Sequence, residues 1–411
     1  MFDPSLLFRR FKAYAEIETT SDELSDASPS AACEWDLATY LFEELKRIGM
    51  RDVALTKYGY VLATLPANGG SGPVFGLIAH MDTSPEASGR QVQVQLHERY
   101  DGGPIRLSGD AVLDPADFPE LLHYKGQDII TSDGMTLLGA DDKAGICAIV
   151  SACEYLLRHP EMRHGEVRVA FTPDEEIGRG TEHFPLDDFG AAYAYTVDGG
   201  ELGELSYETF NACGARAVFH GISVHPGDAK HKMRNAVTLA AEWLNAIPAG
   251  ERPEYTEGRE GFYHVLSIRG TVEQAEVSLI LRDHDENLLA HRKEVLRLLT
   301  DFMNVHCGAG TVELTLKDSY RNMKKYILPH FSIVERAEAA MRRAGVTPKI
   351  TAVRGGTDGA SLSARGLPCP NLFTGGHNFH GRFEYLPLQS LEKCAETLVH
   401  LICGADGPAD A

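Results

Sequence analysis

The sequence has no long apolar run, and its cysteines are not spaced in pairs. No segment of the 411 residues approaches the 18 or more consecutive apolar residues that a membrane-spanning helix needs. The eight cysteines show no CxxC spacing, which argues against a disulfide framework and against a structural zinc finger. The amphipathic first residues do not resemble a secretory signal. We therefore expect a cytoplasmic protein without a membrane partner.

Positive charge is also scarce. The formal net charge is -20 at pH 7. An acidic surface repels phosphate backbones, so we do not expect nucleic acid as a partner. Part of the acidity can be local, because metal sites use carboxylates. The chain is longer than one domain usually is, so we expect two domains.

The first third of the chain alternates predicted strands and helices. Helical periodicity over residues 34–48 and 143–158 predicts two amphipathic helices. Continuous apolar runs at residues 74–79, 167–171 and 193–197 predict buried strands. This pattern is typical of an α/β domain with a mostly parallel sheet.

The middle of the chain has a different pattern. From about residue 211 to residue 318 the predicted elements follow the order β-α-β-β-α-β, which is the ferredoxin-like motif. After that segment the α/β pattern returns. We therefore predict a discontinuous α/β domain, residues 1–209 and 320–411, into which an α+β domain, residues 210–319, is inserted.

Histidines and acids follow several of the predicted strands. Taken singly, each has a simpler explanation: a surface pair, a helix N-cap, a solvated charge run or a turn. The features are His80-Met81-Asp82, Asp141-Asp142, Asp174-Glu175-Glu176, Asp198 and His377-Asn378-Phe379-His380. Sites in open α/β sheets form beyond the carboxyl ends of the strands. Histidine and carboxylate ligands without cysteine suit a catalytic zinc site.

Eight ungapped segments carry a family resemblance. They read LIAHMDTSP, LLGADDKAGI, RVAFTPDEEIGRG, YTVDGG, HPGDAKHKMRNA, EGFYH, RGGTDGA and LPCPNLFTGGHNFHG. In order and spacing the chain resembles, almost end to end, the peptidase T branch of the dizinc metallopeptidase family that includes aminoacylase and glutamate carboxypeptidase. The resemblance implies a zinc-binding catalytic domain, residues 1–209 and 320–411. It implies that the inserted domain is a lid that is also suited to dimerisation.

The resemblance implies two zinc ions per subunit and a set of five metal ligands. The ligands are His80 and Asp198 for one ion, Glu176 and His380 for the other, and Asp141 as the bridging acid. Asp142, which adjoins Asp141, is then expected to support the ligands or to cap the following helix.

Three further residues have catalytic roles by resemblance. Glu175 is expected to be the general base, and Asp82 is expected to orient His80. His225 is expected to reach the substrate carbonyl, either in its own subunit or across a homodimer formed through the inserted domain. Without the resemblance, His225 would be read as a loop or capping residue.

Substrate contacts are expected both in the inserted domain and in the part of the chain that follows it. The resemblance implies that Arg282 binds the C-terminal carboxylate of the peptide, which suits a bidentate guanidinium. The competing interpretation of Arg282 is a surface ion pair with Asp283 or Asp285. Further contacts are implied at Asn235, Arg354 and Gly356.

The implied activity is that of an aminotripeptidase, which releases the N-terminal residue from tripeptides. A dipeptidase, a carboxypeptidase or an N-acyl amino acid hydrolase would use the same metal site, so the ligands do not separate these reactions. A non-catalytic relative would have lost ligands or the general base, and the sequence retains them all.

Overall fold

The computed structural model describes residues 1–404, so positions 405–411 of the predicted larger domain lie outside the described residues. The helices are α1 Pro4–Ala15, α2 Glu34–Ile48, α3 Ala140–Arg158, α4 Leu186–Phe189, α5 Ala236–Asn245, α6 Glu286–Cys307, α7 Lys324–Ile327, α8 Ser332–Arg343, α9 Asp358–Ala364 and α10 Leu388–Cys403. The strands are β1 Arg51–Leu55, β2 Val61–Leu65, β3 Phe75–His80, β4 Gln95–His97, β5 Ile105–Arg106, β6 Val112–Leu113, β7 Ile129–Thr131, β8 Val167–Thr172, β9 Tyr193–Gly199, β10 Glu204–Thr209, β11 Asn211–His220, β12 Phe262–Gly270, β13 Gln274–Asp283, β14 Val312–Asp318, β15 Lys349–Val353, β16 Asn371–Phe373 and β17 Tyr385–Pro387. Among these helices, none combines the length and apolar character that crossing a bilayer requires.

The chain divides into two compact units. The larger unit comprises Met1–Tyr207, Lys325–Thr351 and the chain from Thr357 onward, and the smaller unit comprises Glu208–Lys324 and Ala352–Gly356. The sequence pattern gave no sign that the short segment Ala352–Gly356 groups with the smaller unit.

An eight-stranded sheet dominates the larger unit, in the order β1-β2-β8-β3-β9-β16-β10-β15. The four central strands β8, β3, β9 and β16 run parallel. Antiparallel pairs flank them, β1 with β2 and β2 with β8 on one side and β16 with β10 on the other. The predicted α/β class is confirmed, with its parallel part at the centre of the sheet.

The local sequence explains the elements that flank the site. All six residues of β3 are buried, as expected for a central strand with both faces covered. Helix α2 buries Leu37, Leu41 and Leu45 at helical spacing. The residue that follows the helix is Gly49, whose φ of 99° is accessible mainly to glycine and ends the helix.

The smaller unit has its own antiparallel sheet, in the order β12-β13-β11-β14. Helices α5 and α6 complete the chain order β-α-β-β-α-β, so the predicted ferredoxin-like motif is confirmed. Its core contains Trp243 from α5, Leu296 from α6 and Phe219 from β11, all buried. A core of this kind gives the insertion the character of a domain.

Candidate metal centre

Three parallel strands bring polar side chains to one edge of the large sheet. His80 is the last residue of β3, and Asp198 is the penultimate residue of β9. Glu175 and Glu176 lie in the loop that follows β8, whose last residue is Thr172. Because β8, β3 and β9 are adjacent and parallel, their carboxyl ends meet at the same edge.

The first possible ligand group consists of His80, Asp141 and Asp198. The Nε2 atom of His80 lies 2.9 Å from Oδ1 of Asp141 and 3.5 Å from Oδ1 of Asp198. Each residue offers one ligand atom, and these atoms all lie within 4.8 Å of one another. The group could therefore surround one metal ion.

The second possible group consists of Asp141, Glu176 and His380. The Nε2 atom of His380 lies 3.0 Å from Oε2 of Glu176 and 3.3 Å from Oδ2 of Asp141. Asp141 thus belongs to both groups, with Oδ1 facing one imidazole and Oδ2 facing the other. One carboxylate shared in this way is suited to bridging two metal ions.

The neighbouring Asp142 belongs to neither group. Its Oδ1 accepts a hydrogen bond from the N–H of Gly145, and its Oδ2 accepts one from the N–H of His80. Asp142 therefore stabilises the first turn of α3 and anchors the end of β3. Among the two adjoining acids, the structure brings Asp141 against both imidazoles.

Asp82 holds the backbone of the glutamate loop. Its two carboxylate oxygens accept hydrogen bonds from the N–H groups of Glu175 and Glu176, at 2.9 and 3.0 Å. Its Oδ1 is 3.5 Å from Nδ1 of His80, which is long for a hydrogen bond, while its carbonyl oxygen is 3.0 Å from that nitrogen. The backbone of Asp82 orients the ring more directly than its carboxylate does.

The buried acids and imidazoles of the two ligand groups are electrostatically suited to binding cations. Burial raises the pKa of Asp198 to about 7, and hydrogen bonds to Asp141 and Glu176 raise the pKa of His380 to about 11. Burial opposes ionisation of Asp141, but hydrogen bonds from His380 and His80 still bring its pKa below the usual value. Oε1 of Glu176 is buried and has no hydrogen-bond partner among residues 1–404. A buried carboxylate oxygen without a partner beside imidazoles is suited to a metal ligand.

Glu175 stands beside the groups without joining either of them. Burial raises the pKa of its carboxyl well above the ordinary value, and the charge of Asp198 adds to this effect. An acid with a raised pKa can accept a proton near neutral pH and give it back.

Three predicted residues of the smaller unit have distinct surroundings. His225 precedes a short 3-10 turn, where its Nδ1 accepts the N–H of Gly227. Asn235 caps α5 through two backbone N–H groups. Arg282 lies over the ring of Tyr320, and the described residues give it no ion pair; Asp283 pairs with Arg292 instead. The competing ion-pair interpretation of Arg282 is therefore wrong.

The other two predicted substrate residues are engaged within the smaller unit. Arg354 donates to the carbonyl oxygens of Gly258 and Glu260 and to Thr256, so several of its N–H groups already have partners. A Cβ atom at Gly356 would lie 2.8 Å from the ring of Tyr320, which explains a glycine there. These contacts explain both residues without a substrate.

Sequence reasoning missed two buried acids near the centre. Asp358, the first residue of α9, accepts the hydroxyl of Thr172 at the end of β8, and burial raises its pKa to about 7. Glu384 accepts hydrogen bonds from the backbone before and within the start of α3. Asp358 lies in the segment RGGTDGA, which carries part of the resemblance, but no separate role was expected for it; Glu384 follows no predicted strand and lies in none of the eight segments.

Comparison with known proteins adds a family and close relatives. Residues 123–403 match the profile of Peptidase family M20/M25/M40. Peptidase T of Listeria monocytogenes serotype 4a (strain HCC23) is 52% identical over 398 residues, covering 96% of this chain and 97% of that protein.

Two solved structures share the fold. Aminopeptidase PepT from Bacillus cereus ATCC 10987 is 21% identical, with a TM-score of 0.76 and 98% of each chain covered. A tripeptidase from Staphylococcus aureus subsp. aureus Mu50 is 20% identical, with a TM-score of 0.78 and 98% of each chain covered. At these identities the likeness concerns the architecture.

Proposed function

The chain belongs to Peptidase family M20/M25/M40 and is a metallopeptidase, and from this premise we propose that it is an aminotripeptidase that releases the N-terminal residue from tripeptides. The observation that carries the proposal is that the two oxygens of Asp141 face different imidazoles. The identity of about half to proteins named Peptidase T, over nearly the whole chain, supports the tripeptide specificity.

We propose zinc as the metal, with two ions per subunit. His80, Asp141 and Asp198 would hold one ion, and Asp141, Glu176 and His380 the other. Imidazole nitrogens and carboxylate oxygens without cysteine support a catalytic zinc site with open coordination. When bound, such a metal pair polarises the peptide carbonyl and acidifies a water molecule.

Glu175 is proposed as the general base. Its carboxyl takes a proton from the attacking water and returns it to the amine of the departing peptide. The raised pKa of this carboxyl, which burial causes, supports both transfers, because it makes the carboxylate a stronger base towards the water proton. Asp82 keeps Glu175 in place through the backbone hydrogen bond described above.

Arg282 is proposed to bind the C-terminal carboxylate of the substrate. Its freedom from ion pairs among the described residues and its place over Tyr320 support this role. A fixed partner for that carboxylate would favour peptides of one length. His225 is proposed to stabilise the developing oxyanion, in its own subunit or across a homodimer. Asn235, Arg354 and Gly356 would contribute less directly.

The proposed setting is the cytoplasm, and the proposed assembly is a homodimer through the inserted domain, residues 210–319, which would act as a lid. The eight cysteines form no disulfide among the described residues and six of them are buried, which suits a reducing compartment.

The test of this function is a substrate panel with the purified zinc-loaded protein. Dipeptides, tripeptides, tetrapeptides and N-acyl amino acids are compared by kcat/KM, and the released residue is identified by mass spectrometry. We expect tripeptides to be preferred and the N-terminal residue to be released. Preference for dipeptides, release of the C-terminal residue or hydrolysis of N-acyl amino acids would contradict the proposal and identify the competing reaction.

A further inference from the structure

A single buried carboxylate holds the backbone of the segment that presents Asp141. Glu384 is the residue before β17 and is 2% exposed. Its Oε2 accepts hydrogen bonds from the N–H groups of Leu138 and Gly139, at 2.8 and 2.9 Å. Its Oε1 accepts the N–H of Asp141 at 3.1 Å. The side chain therefore serves three N–H groups from a distant part of the chain.

The helix that follows does not by itself determine the backbone of Asp141. Helix α3 begins at Ala140, but Asp141 has a φ of -84° and a ψ of 106°, which are not helical values. Gly139, the residue before the helix, has a φ of 77°, in the left-handed region. The first N–H groups of a helix also lack partners within the helix. Glu384 supplies the missing acceptors at this irregular start.

The loop that carries Glu384 also carries an imidazole of the second ligand group. His380 lies four residues earlier, and the N–H of Glu384 donates to the carbonyl of Gly381 within the same loop. One loop thus presents His380 to Oδ2 of Asp141 and, through Glu384, accepts the backbone N–H of Asp141.

We infer that Glu384 is a positioning residue that sets the orientation of the Asp141 carboxylate, so that each oxygen reaches one imidazole. The inference rests on the proposed function, because it assumes that Asp141 binds both metal ions. The effect is indirect: Glu384 belongs to neither ligand group and acts through the main chain. Partners that orient metal ligands contribute about 10- to 100-fold to metal affinity.

The test variant is Glu384→Gln. The amide keeps the size of the side chain, but it has one oxygen acceptor, and its NH2 group cannot accept a hydrogen bond from a backbone N–H. The single oxygen of the amide cannot take the place of both carboxylate oxygens, so at least one of the three N–H groups loses its acceptor. Zn²⁺ affinity is measured by competition with a chromophoric chelator, and Co²⁺ is titrated to record its absorption spectrum.

We expect Glu384→Gln to bind Zn²⁺ about 10- to 100-fold more weakly and to give an altered Co²⁺ spectrum. At saturating metal, kcat should fall more than KM changes. The matched control is Asp128→Asn. The carboxylate of Asp128 also accepts a backbone N–H, that of Arg99, but Asp128 belongs to neither ligand group. This control should keep the wild-type Zn²⁺ affinity and Co²⁺ spectrum.

Glu384→Asp provides a second variant if the glutamine variant does not fold. It keeps the charge but is one methylene shorter, so it should also bind Zn²⁺ more weakly. Wild-type Zn²⁺ affinity in a folded Glu384 variant would overturn the inference, and so would an equal loss in Asp128→Asn, which would indicate a general structural effect. If the wild-type protein itself bound no Zn²⁺, the proposed function would fail first, and this inference with it.

Discussion

Replacing Asp141 by asparagine tests the shared carboxylate directly. Each of the two possible ligand groups has three members, and Asp141 is the only residue common to both. Asparagine keeps the size of the side chain but offers a single carbonyl oxygen and an NH2 group, which is no metal ligand. The change should leave at most one group with three ligands. We expect metal content to fall from two ions per chain to one or fewer.

The loss should be visible in stability as well as in stoichiometry. At a free Zn²⁺ concentration of 100 times Kd, each occupied site stabilises the folded protein by about 2.7 kcal/mol. Two sites would then contribute about 5.4 kcal/mol to the wild-type protein, and the variant would keep at most about half of this. For 411 residues, an unfolding entropy of about 2.1 cal/mol/K per residue converts the missing site into a Tm difference of about 3 °C.

The neighbouring acid provides the control. Asp142→Asn removes the carboxylate of the adjoining residue, which accepts hydrogen bonds from the N–H groups of Gly145 and His80 and belongs to neither ligand group. It should cost about 1–3 kcal/mol of stability and keep both ions. Metal is counted by mass spectrometry after gel filtration, and melting is recorded with and without Zn²⁺. Two ions in Asp141→Asn together with a loss in Asp142→Asn would refute the assignment of the shared carboxylate.

Three further predictions concern catalysis, substrate length and pH. Glu175→Gln should retain its metal while turnover falls by about 10²- to 10⁴-fold; turnover close to that of the wild type would remove Glu175 from the role of base. Arg282→Ala should reduce the preference for a free over an amidated tripeptide C-terminus by about 10- to 150-fold in kcat/KM, and an unchanged ratio would contradict carboxylate binding by Arg282. Burial raises the pKa of Glu34 from 4.5 to about 9, so between these values the metal-free fold retains a proton that the unfolded chain releases. The free energy of unfolding should therefore fall as pH rises through this window, by up to about 1.4 kcal/mol per pH unit for this group. Glu34→Gln should weaken the dependence of the unfolding free energy on pH, measured by urea unfolding at a series of pH values. Equal pH dependence in the two proteins would argue against the raised pKa.

Much of the fold could be predicted from local periodicity. The predicted helix over residues 34–48 has the same bounds in the structure, because its apolar spacing and the glycine after it are local signals. The predicted strand over residues 74–79 lies at residues 75–80, so His80 becomes its last residue. A shift of one residue is typical, since the residues at which a strand begins and ends depend on hydrogen bonds to its neighbours.

The site was predictable as a set of residue types but not as a geometry. Motif resemblance pointed to His80, Asp141 and His380, but the choice of Asp141 over Asp142 was the weakest assignment, because the two acids adjoin. It assigned Asp82 to the imidazole, whereas the carboxylate of Asp82 mainly holds two backbone N–H groups of the glutamate loop. Such details depend on side-chain direction, which one sequence does not record.

The sequence alone therefore determined the family, the α/β class, the ferredoxin-like insertion and the pool of acids and imidazoles, because these follow from periodicity and motif. Only the tertiary structure decided which atoms face each other. The imidazole of His80 meets an acid 61 positions away, and Glu384 reaches the backbone of Asp141 across 243 positions. Contacts at such separations arise when parallel strands and their loops converge at one edge of the sheet, and no local pattern encodes that convergence.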